Sequence, residues 1–114
     1  MKREIKFRAF ENANCRNRMF DWREIKKDFE LWLNCEHTSV MQYTGLKDKN
    51  GREIYEGDII RRHRNVYWVV EFIESKWQAH PRLKDTGLYL DASQFIITKV
   101  IGNIHEHPEL ITKP

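Results

Sequence analysis

Hydrophobic and polar residues alternate with a period of two along much of the chain, which is the pattern of β-strands that bury one face. In the first such segment Ile5, Phe7 and Ala9 alternate with Lys6 and Arg8, so we expect a strand with a core face and a largely basic, exposed face. Similar segments predict strands at residues 19–20, 41–46, 59–62, 66–73, 77–80, 88–90 and 100–104. The pattern therefore predicts a mostly β protein.

Residues 21–35 fit two patterns at once. Apolar residues recur at helical spacing from Trp22 to Trp32, and Asp21 followed by Glu24 forms a capping-box sequence. The residues from Phe29 to Leu33, however, alternate as in a strand. We predict a helical turn or two after Asp21 that gives way to a strand over Phe29 to Leu33.

Turn sequences separate the predicted strands. Asn50-Gly51 predicts a tight type I′ reversal in which both residues have positive φ, and Gly57 predicts a second sharp turn. Residues 61–65 predict a polar loop or the end of a strand, and residues 84–87 predict a loop. Pro108 suits the first turn of a short terminal helix, so we expect little helix elsewhere beyond residues 21–28.

The composition favours one folded domain over residues 1–114. Hydrophobic residues make up 40% of the 114 residues, which is enough for a packed core. No apolar stretch approaches the roughly 18 residues of a membrane span, and charges occupy the place of an apolar signal segment. We therefore expect a cytoplasmic protein that has no contact with a membrane, in which Cys15 and Cys35 are free thiols.

Three segments carry a family resemblance. They are residues 1–10, MKREIKFRAF, residues 41–60, MQYTGLKDKNGREIYEGDII, and residues 100–104, VIGNI, followed by Pro108-Glu109-Leu110. In this order they resemble the start, centre and end of the YopX family of phage and prophage proteins. Phe10 departs from the Trp that is usual in the family, and His105 and His107 depart from Tyr and Asn.

The resemblance implies a single YopX-like domain, a small SH3-like β-barrel with minor helical turns, and the cytoplasm of a bacterial host. It implies no activity, cofactor or catalytic residue. Residues 11–39 and 61–98 match the family only loosely, so a function specific to this protein is expected there.

The residues themselves indicate no enzyme class. Serines and cysteines occur without a nucleophile elbow or a base placed beside them. His105 and His107 would share one side of a strand, but two ligands do not make a metal site. We predict no catalytic residue, metal or cofactor, and we keep a hydrolytic enzyme with an unrecognised site as the alternative.

The basic residues are the remaining candidates for function. The net charge is +3, and guanidinium groups that contact phosphates beside rings that stack on bases are typical of nucleic-acid binding. The candidate nucleic-acid-binding residues are Lys2, Arg3, Lys6, Arg8, Arg61, Arg62, Arg64 and Trp77. The competing interpretation is that Trp77 belongs to the core and the arginines form a solvated rim.

The aromatic content of 12% exceeds what so small a domain can bury completely, and surplus apolar surface commonly becomes an interface. We therefore predict a non-enzymatic binding module, an accessory protein of a phage or prophage. It would form a homo-oligomer, bind a phage or host protein, or bind nucleic acid.

Overall fold

The computed structural model describes residues 4–12, 16–64, 66–81 and 88–112. Strands make up 46% of the structure and helices 22%, which confirms the prediction of a mostly β protein. The strands are β1 Phe7–Glu11, β2 Arg18–Phe20, β3 Thr38–Lys47, β4 Glu53–Tyr55, β5 Asp58–Arg61, β6 Tyr67–Ile73, β7 Lys76–Pro81, β8 Leu90–Asp91 and β9 Lys99–Asn103.

The chain forms two compact units, Met1–Tyr43 and Thr44–Pro114. Strand β3 contributes to both, because its first part pairs with β1 and its last part with β4. The single domain over residues 1–114 stays a prediction, since two compact units can still unfold together.

In the first unit, β1 lies between two antiparallel partners, with Ala9 opposite Phe20 on β2 and Val40 on β3. The core of this unit consists of Ala9, Phe20 and Ile25, with Phe7, Trp22, Phe29, Trp32 and Val40 packed against it. A basic exposed face on β1 is therefore wrong. Lys6 and Arg8 are half-buried, whereas Ile5 is 59% exposed.

Residues 22–34 are helical, as α1 Trp22–Ile25, a 3-10 turn Lys26–Asp28 and α2 Phe29–Asn34. The capping box is confirmed: the Asp21 carboxylate accepts from the Glu24 N–H at 3.0 Å, and the Glu24 carboxylate accepts from the Asp21 N–H at 3.1 Å. The predicted strand from Phe29 to Leu33 is wrong.

Packing of aromatic rings explains why the helical pattern prevails over the strand pattern. The ring of Phe29 lies 4.8 Å from that of Phe7, and Trp32 lies 4.8 Å from Phe20. A helix places Phe29 and Trp32 on one face toward the sheet. Leu31, which would have shared the strand face with Phe29, is 69% exposed.

The second unit contains a five-stranded antiparallel sheet in the order β8-β7-β6-β5-β9. Ile60 on β5 lies opposite Trp68 on β6, and both face the main core. The core consists of Ile54, Ile60, Val70, Ala79, Leu90, Phe95 and Val100, with Leu46, Trp68, Trp77 and Ala92 packed against it. On the opposite face, Ile59 and Val69 are also buried, whereas Arg61 and Tyr67 at the end of the same face are only half-buried.

A 3-10 helix over Ala92–Ile97 was not predicted, although α3 Glu109–Thr112 follows Pro108 as expected. The unpredicted helix begins with a second capping box, in which Asp91 accepts from the Ser93 N–H at 3.4 Å and Gln94 accepts from the Asp91 N–H at 3.0 Å. An Asp followed three residues later by Gln is a capping-box sequence, from which the start of this helix could have been predicted. The helix carries the fully buried Phe95 into the core.

The reversal between β3 and β4 exists, but it is not a type I′ turn. Only Gly51 has positive φ there, at 82°, because the loop closes through Asp48. The Asp48 N–H donates to the Arg52 carbonyl at 2.9 Å, and the Gly51 N–H donates to the Asp48 carbonyl at 3.0 Å. This pattern suits a type I turn followed by a left-handed glycine. Gly57, at φ 85°, takes the conformation predicted for it.

Within the described ranges, no helix combines the length and the apolar character that crossing a membrane requires. Cys35 is a free, half-buried thiol directly after α2. Cys15 and the loop at residues 84–87 lie outside the described residues.

Candidate anion-binding site

The predicted basic residues divide between the two units. Lys2 and Arg3 lie outside the described residues. In the first unit, the Lys6 ammonium pairs with Glu4 at 3.2 Å and lies 5.0 Å from the centre of the Tyr43 ring. Lys6 is therefore engaged within its own unit, and Arg8 is half-buried beside it on β1.

The second unit brings three of the predicted residues together. A depression of about 260 Å³, called the cationic depression below, is lined by Lys49, Arg61, Arg62, His63, Arg64 and Lys99. These residues come from the β3–β4 loop, the end of β5 with its following loop, and the start of β9. Arg61, Arg62 and Arg64 were predicted from the sequence, whereas Lys49 and Lys99 were not.

A buried carboxylate holds the β3–β4 loop at this place. Asp48 is only 2% exposed. One of its oxygens accepts from the Val100 N–H at 2.8 Å, and the other accepts from the N–H groups of Asn50 and Arg52, each at 2.9 Å. The Lys49 N–H also donates to the Thr98 carbonyl at 2.9 Å. These bonds tie the loop to the residues on either side of Lys99.

The environment of Asp48 favours its charged form. Burial by itself would raise the pKa of Asp48, but the N–H donors of Val100, Arg52 and Asn50 and the charge of Arg52 outweigh it. The pKa of Asp48 therefore lies below its ordinary value. The ionised carboxylate is hydrogen-bonded by three backbone N–H groups, and its described contacts include no ion pair with Lys49 or Lys99.

Three side chains form a row across the sheet at the cationic depression. Arg61 on β5 lies opposite Lys99 on β9 and opposite Tyr67 on β6. The β5–β9 register shifts between Ile59 and Ile60, so a β-bulge precedes this row. Like charges directly opposite each other destabilise a sheet, and Arg61 and Lys99 are such a pair.

Among the described residues, the lining of the cationic depression contains no acidic side chain. In the part of the chain that the structure describes, no ion pair involves its lysines or arginines. Arg61 is half-buried, and the other four cations are exposed. A concave surface with charges of one sign attracts counter-ions of the opposite sign, so this surface suits an anion.

Trp77 lies away from these residues. It pairs with Phe72 on the β6–β7 hairpin, five residues along β6 from Tyr67, which is roughly 17 Å of strand. Its indole packs against the main core and lies edge-on to the Phe72 ring, with centroids 5.0 Å apart. The structure thus places Trp77 outside the cationic depression.

Lys49 and Lys99 were not predicted from the sequence because they are distant from the arginines along the chain. The only local signal was that Lys49 occupies the tip of a predicted reversal. That the tip lies beside β9 follows from hydrogen bonds between residues 52 positions apart.

The histidines at residues 105 and 107 do not form a metal site in the described part of the chain, where no three His, Cys, Asp or Glu residues are grouped to hold an ion. His107 has a structural contact, since its Nδ1 accepts from the Asn103 N–H at 3.2 Å.

Comparison with known proteins identifies a family. The model of the family described as YopX protein matches residues 4–112. The chain is similar to the crystal structure of protein EF1440 from Enterococcus faecalis, at 24% identity over 96% of this chain and 99% of that chain, with a TM-score of 0.66. This likeness concerns the fold alone. No curated protein matches the chain.

Proposed function

We infer that this chain, which belongs to the YopX family, is a non-enzymatic binding module that holds the phosphate backbone of a nucleic acid in the cationic depression. The observation that carries this proposal is the convergence of five lysines and arginines on one surface without an ion-paired carboxylate among the described residues. Each neutralised phosphate releases condensed counterions, so several such cations together favour a polyanion over a single small anion.

The repulsion between the cations of the cationic depression supports the proposal that it binds an anion. Arg61 and Lys99 repel each other across the sheet, and among the described contacts the Asp48 carboxylate accepts from backbone N–H groups and forms no ion pair with Lys49 or Lys99. A bound phosphate would relieve this repulsion. A solvated rim of arginines, the competing interpretation, gives no reason for two lysines from other segments to join them.

The proposal also includes the cellular location of the protein and the barrel architecture of its second unit. The resemblance to phage and prophage proteins supports an accessory role in the cytoplasm of a bacterial host. We propose that the second unit is an SH3-like barrel. Its five antiparallel strands place the last one, β9, beside the first one, β5, and a 3-10 helix precedes β9.

Self-association, or binding of a phage or host protein, is the second candidate function. Large apolar side chains are exposed on several elements: Leu31 at 69%, Ile96 at 62%, Leu88 at 60% and Phe72 at 54%. Exposed apolar groups of this size commonly become buried in an interface.

Fluorescence anisotropy of labelled DNA and RNA tests the nucleic-acid proposal. With four or five phosphate contacts, the affinity should fall with salt at a log-log slope on the order of −3 to −4.5. The triple variant Arg61→Ala, Arg62→Ala, Arg64→Ala should flatten this slope by about 2 to 3 units. Absence of an anisotropy change at low salt and micromolar protein would overturn the proposal.

A matched variant controls for net charge. Arg23, Lys26 and Lys27 are exposed cations of the first unit, and replacing all three by Ala removes the same charge without touching the cationic depression. This variant should keep most of the salt slope. Equal losses in the two triple variants would mean that binding depends on net charge alone, which contradicts a defined site.

A further inference from the structure

Tyr67 is the strand neighbour of Arg61, which lines the cationic depression, and it shares its face of the sheet with Arg61 and Lys99. It is the partner of Arg61 on the adjacent strand, and Arg61 is in turn the partner of Lys99. Residues directly opposite in an antiparallel pair point to the same side, with Cβ atoms about 4.5–5.5 Å apart. The row therefore places the Tyr67 ring directly beside Arg61, and Lys99 lies one strand further along the same face, roughly 10 Å from Tyr67.

The Tyr67 ring is partly accessible and is outside both core clusters of the described residues. Tyr67 is half-buried and lies on the opposite face of β6 from Trp68, so it is not part of the main core. The aromatic and cation–π contacts recorded for the described residues do not include it. Tyr43 and Tyr55, by contrast, are buried, and Tyr89 stacks on His80 with centroids 6.0 Å apart.

We propose that the nucleic acid bound here is single-stranded and that one of its bases stacks on Tyr67, while flanking phosphates lie on Arg61 and Lys99. This inference rests on the proposed function. Positively charged grooves with stacking rings are typical of proteins that bind single strands. In a duplex the base faces already stack on each other, so a duplex could use the cations but not the ring.

The test compares a labelled single strand with a duplex of the same length, using the wild type and the variants Tyr67→Leu and Tyr67→Phe. The wild type should prefer the single strand. Tyr67→Leu should lose roughly 5- to 150-fold in single-strand affinity, the range measured for loss of one stacking ring. Its duplex affinity and its salt slope should stay unchanged, because the cations remain. Tyr67→Phe keeps the ring and should keep the preference.

Tyr89→Leu is the matched control, because Tyr89 is a partly exposed tyrosine directly before β8, a strand that lies two positions from β6 in the sheet. It should retain single-strand affinity. Equal binding of single strand and duplex by the wild type, or parallel losses of both in Tyr67→Leu, would overturn the stacking role but leave the proposed function standing. Binding of neither nucleic acid by the wild type would overturn both.

Discussion

Replacing Asp48 by Ala tests whether this one buried carboxylate holds the β3–β4 loop against β9. The change removes the acceptor of three backbone N–H groups, those of Asn50, Arg52 and Val100. Asn50 and Arg52 are exposed, so water can replace the carboxylate at about 1 kcal/mol each. Val100 is only 3% exposed, and its unpaired N–H costs about 1–3 kcal/mol. We therefore expect a loss of about 3–5 kcal/mol in the free energy of unfolding.

The same carboxylate predicts a dependence of stability on pH. The pKa of Asp48 is lower in the folded protein than its ordinary value, and the value in the unfolded chain is about 3.9. The stability that its ionisation provides is therefore fully present above about pH 4 and is lost as the pH falls through the lower, folded pKa. Asp48→Asn, which cannot ionise, should lack this part of the acid destabilisation.

Urea unfolding followed by tryptophan fluorescence at pH 7, 4 and 3 measures both effects. Asp91→Ala is the control, because Asp91 is an exposed helix cap whose side chain accepts from backbone N–H groups of its own helix, that of Ser93 at 3.4 Å, and its loss should cost about 1 kcal/mol. If Asp48→Ala cost no more than Asp91→Ala, the carboxylate would not be holding the loop. An acid profile of Asp48→Asn parallel to that of the wild type would refute the pKa argument.

Three further predictions concern other parts of the chain. In Gly102→Ala the new Cβ would lie 2.7 Å from His107 Nδ1, so we expect the free energy of unfolding to fall by about 1–3 kcal/mol, measured by thermal unfolding. Adding His107→Ala to this variant should remove most of that loss. Glu74 and Ser75 have positive φ, at 51° and 68°; replacing them by Asn and Gly should stabilise the hairpin by about 1 kcal/mol in the same assay, and no gain would argue against backbone strain. Self-association should appear in light scattering coupled to size exclusion; a constant mass of 13.9 kDa across a wide concentration range would exclude it.

The sequence by itself determined the features whose parts lie close together along the chain. The first capping box needs only Asp21 and Glu24 and their own backbone groups, so it could be read directly. Most strands followed from alternation with a period of two, and the reversal at Gly51 followed from turn chemistry. In each case the competing local structures satisfy fewer backbone hydrogen bonds or bury less apolar surface. A short window of sequence is therefore sufficient to predict the local structure.

Only the tertiary structure decided the features that depend on distant partners. The segment Phe29 to Leu33 is compatible with both helix and strand, and it becomes helical because Phe29 and Trp32 find rings from β1 and β2. The cationic depression needs Lys49 beside Arg61, and that neighbourhood depends on a hydrogen bond from the Val100 N–H to Asp48, 52 residues apart. Long-range contacts of this kind form only when sheets assemble, because strand pairing brings together side chains that periodicity along the chain does not connect.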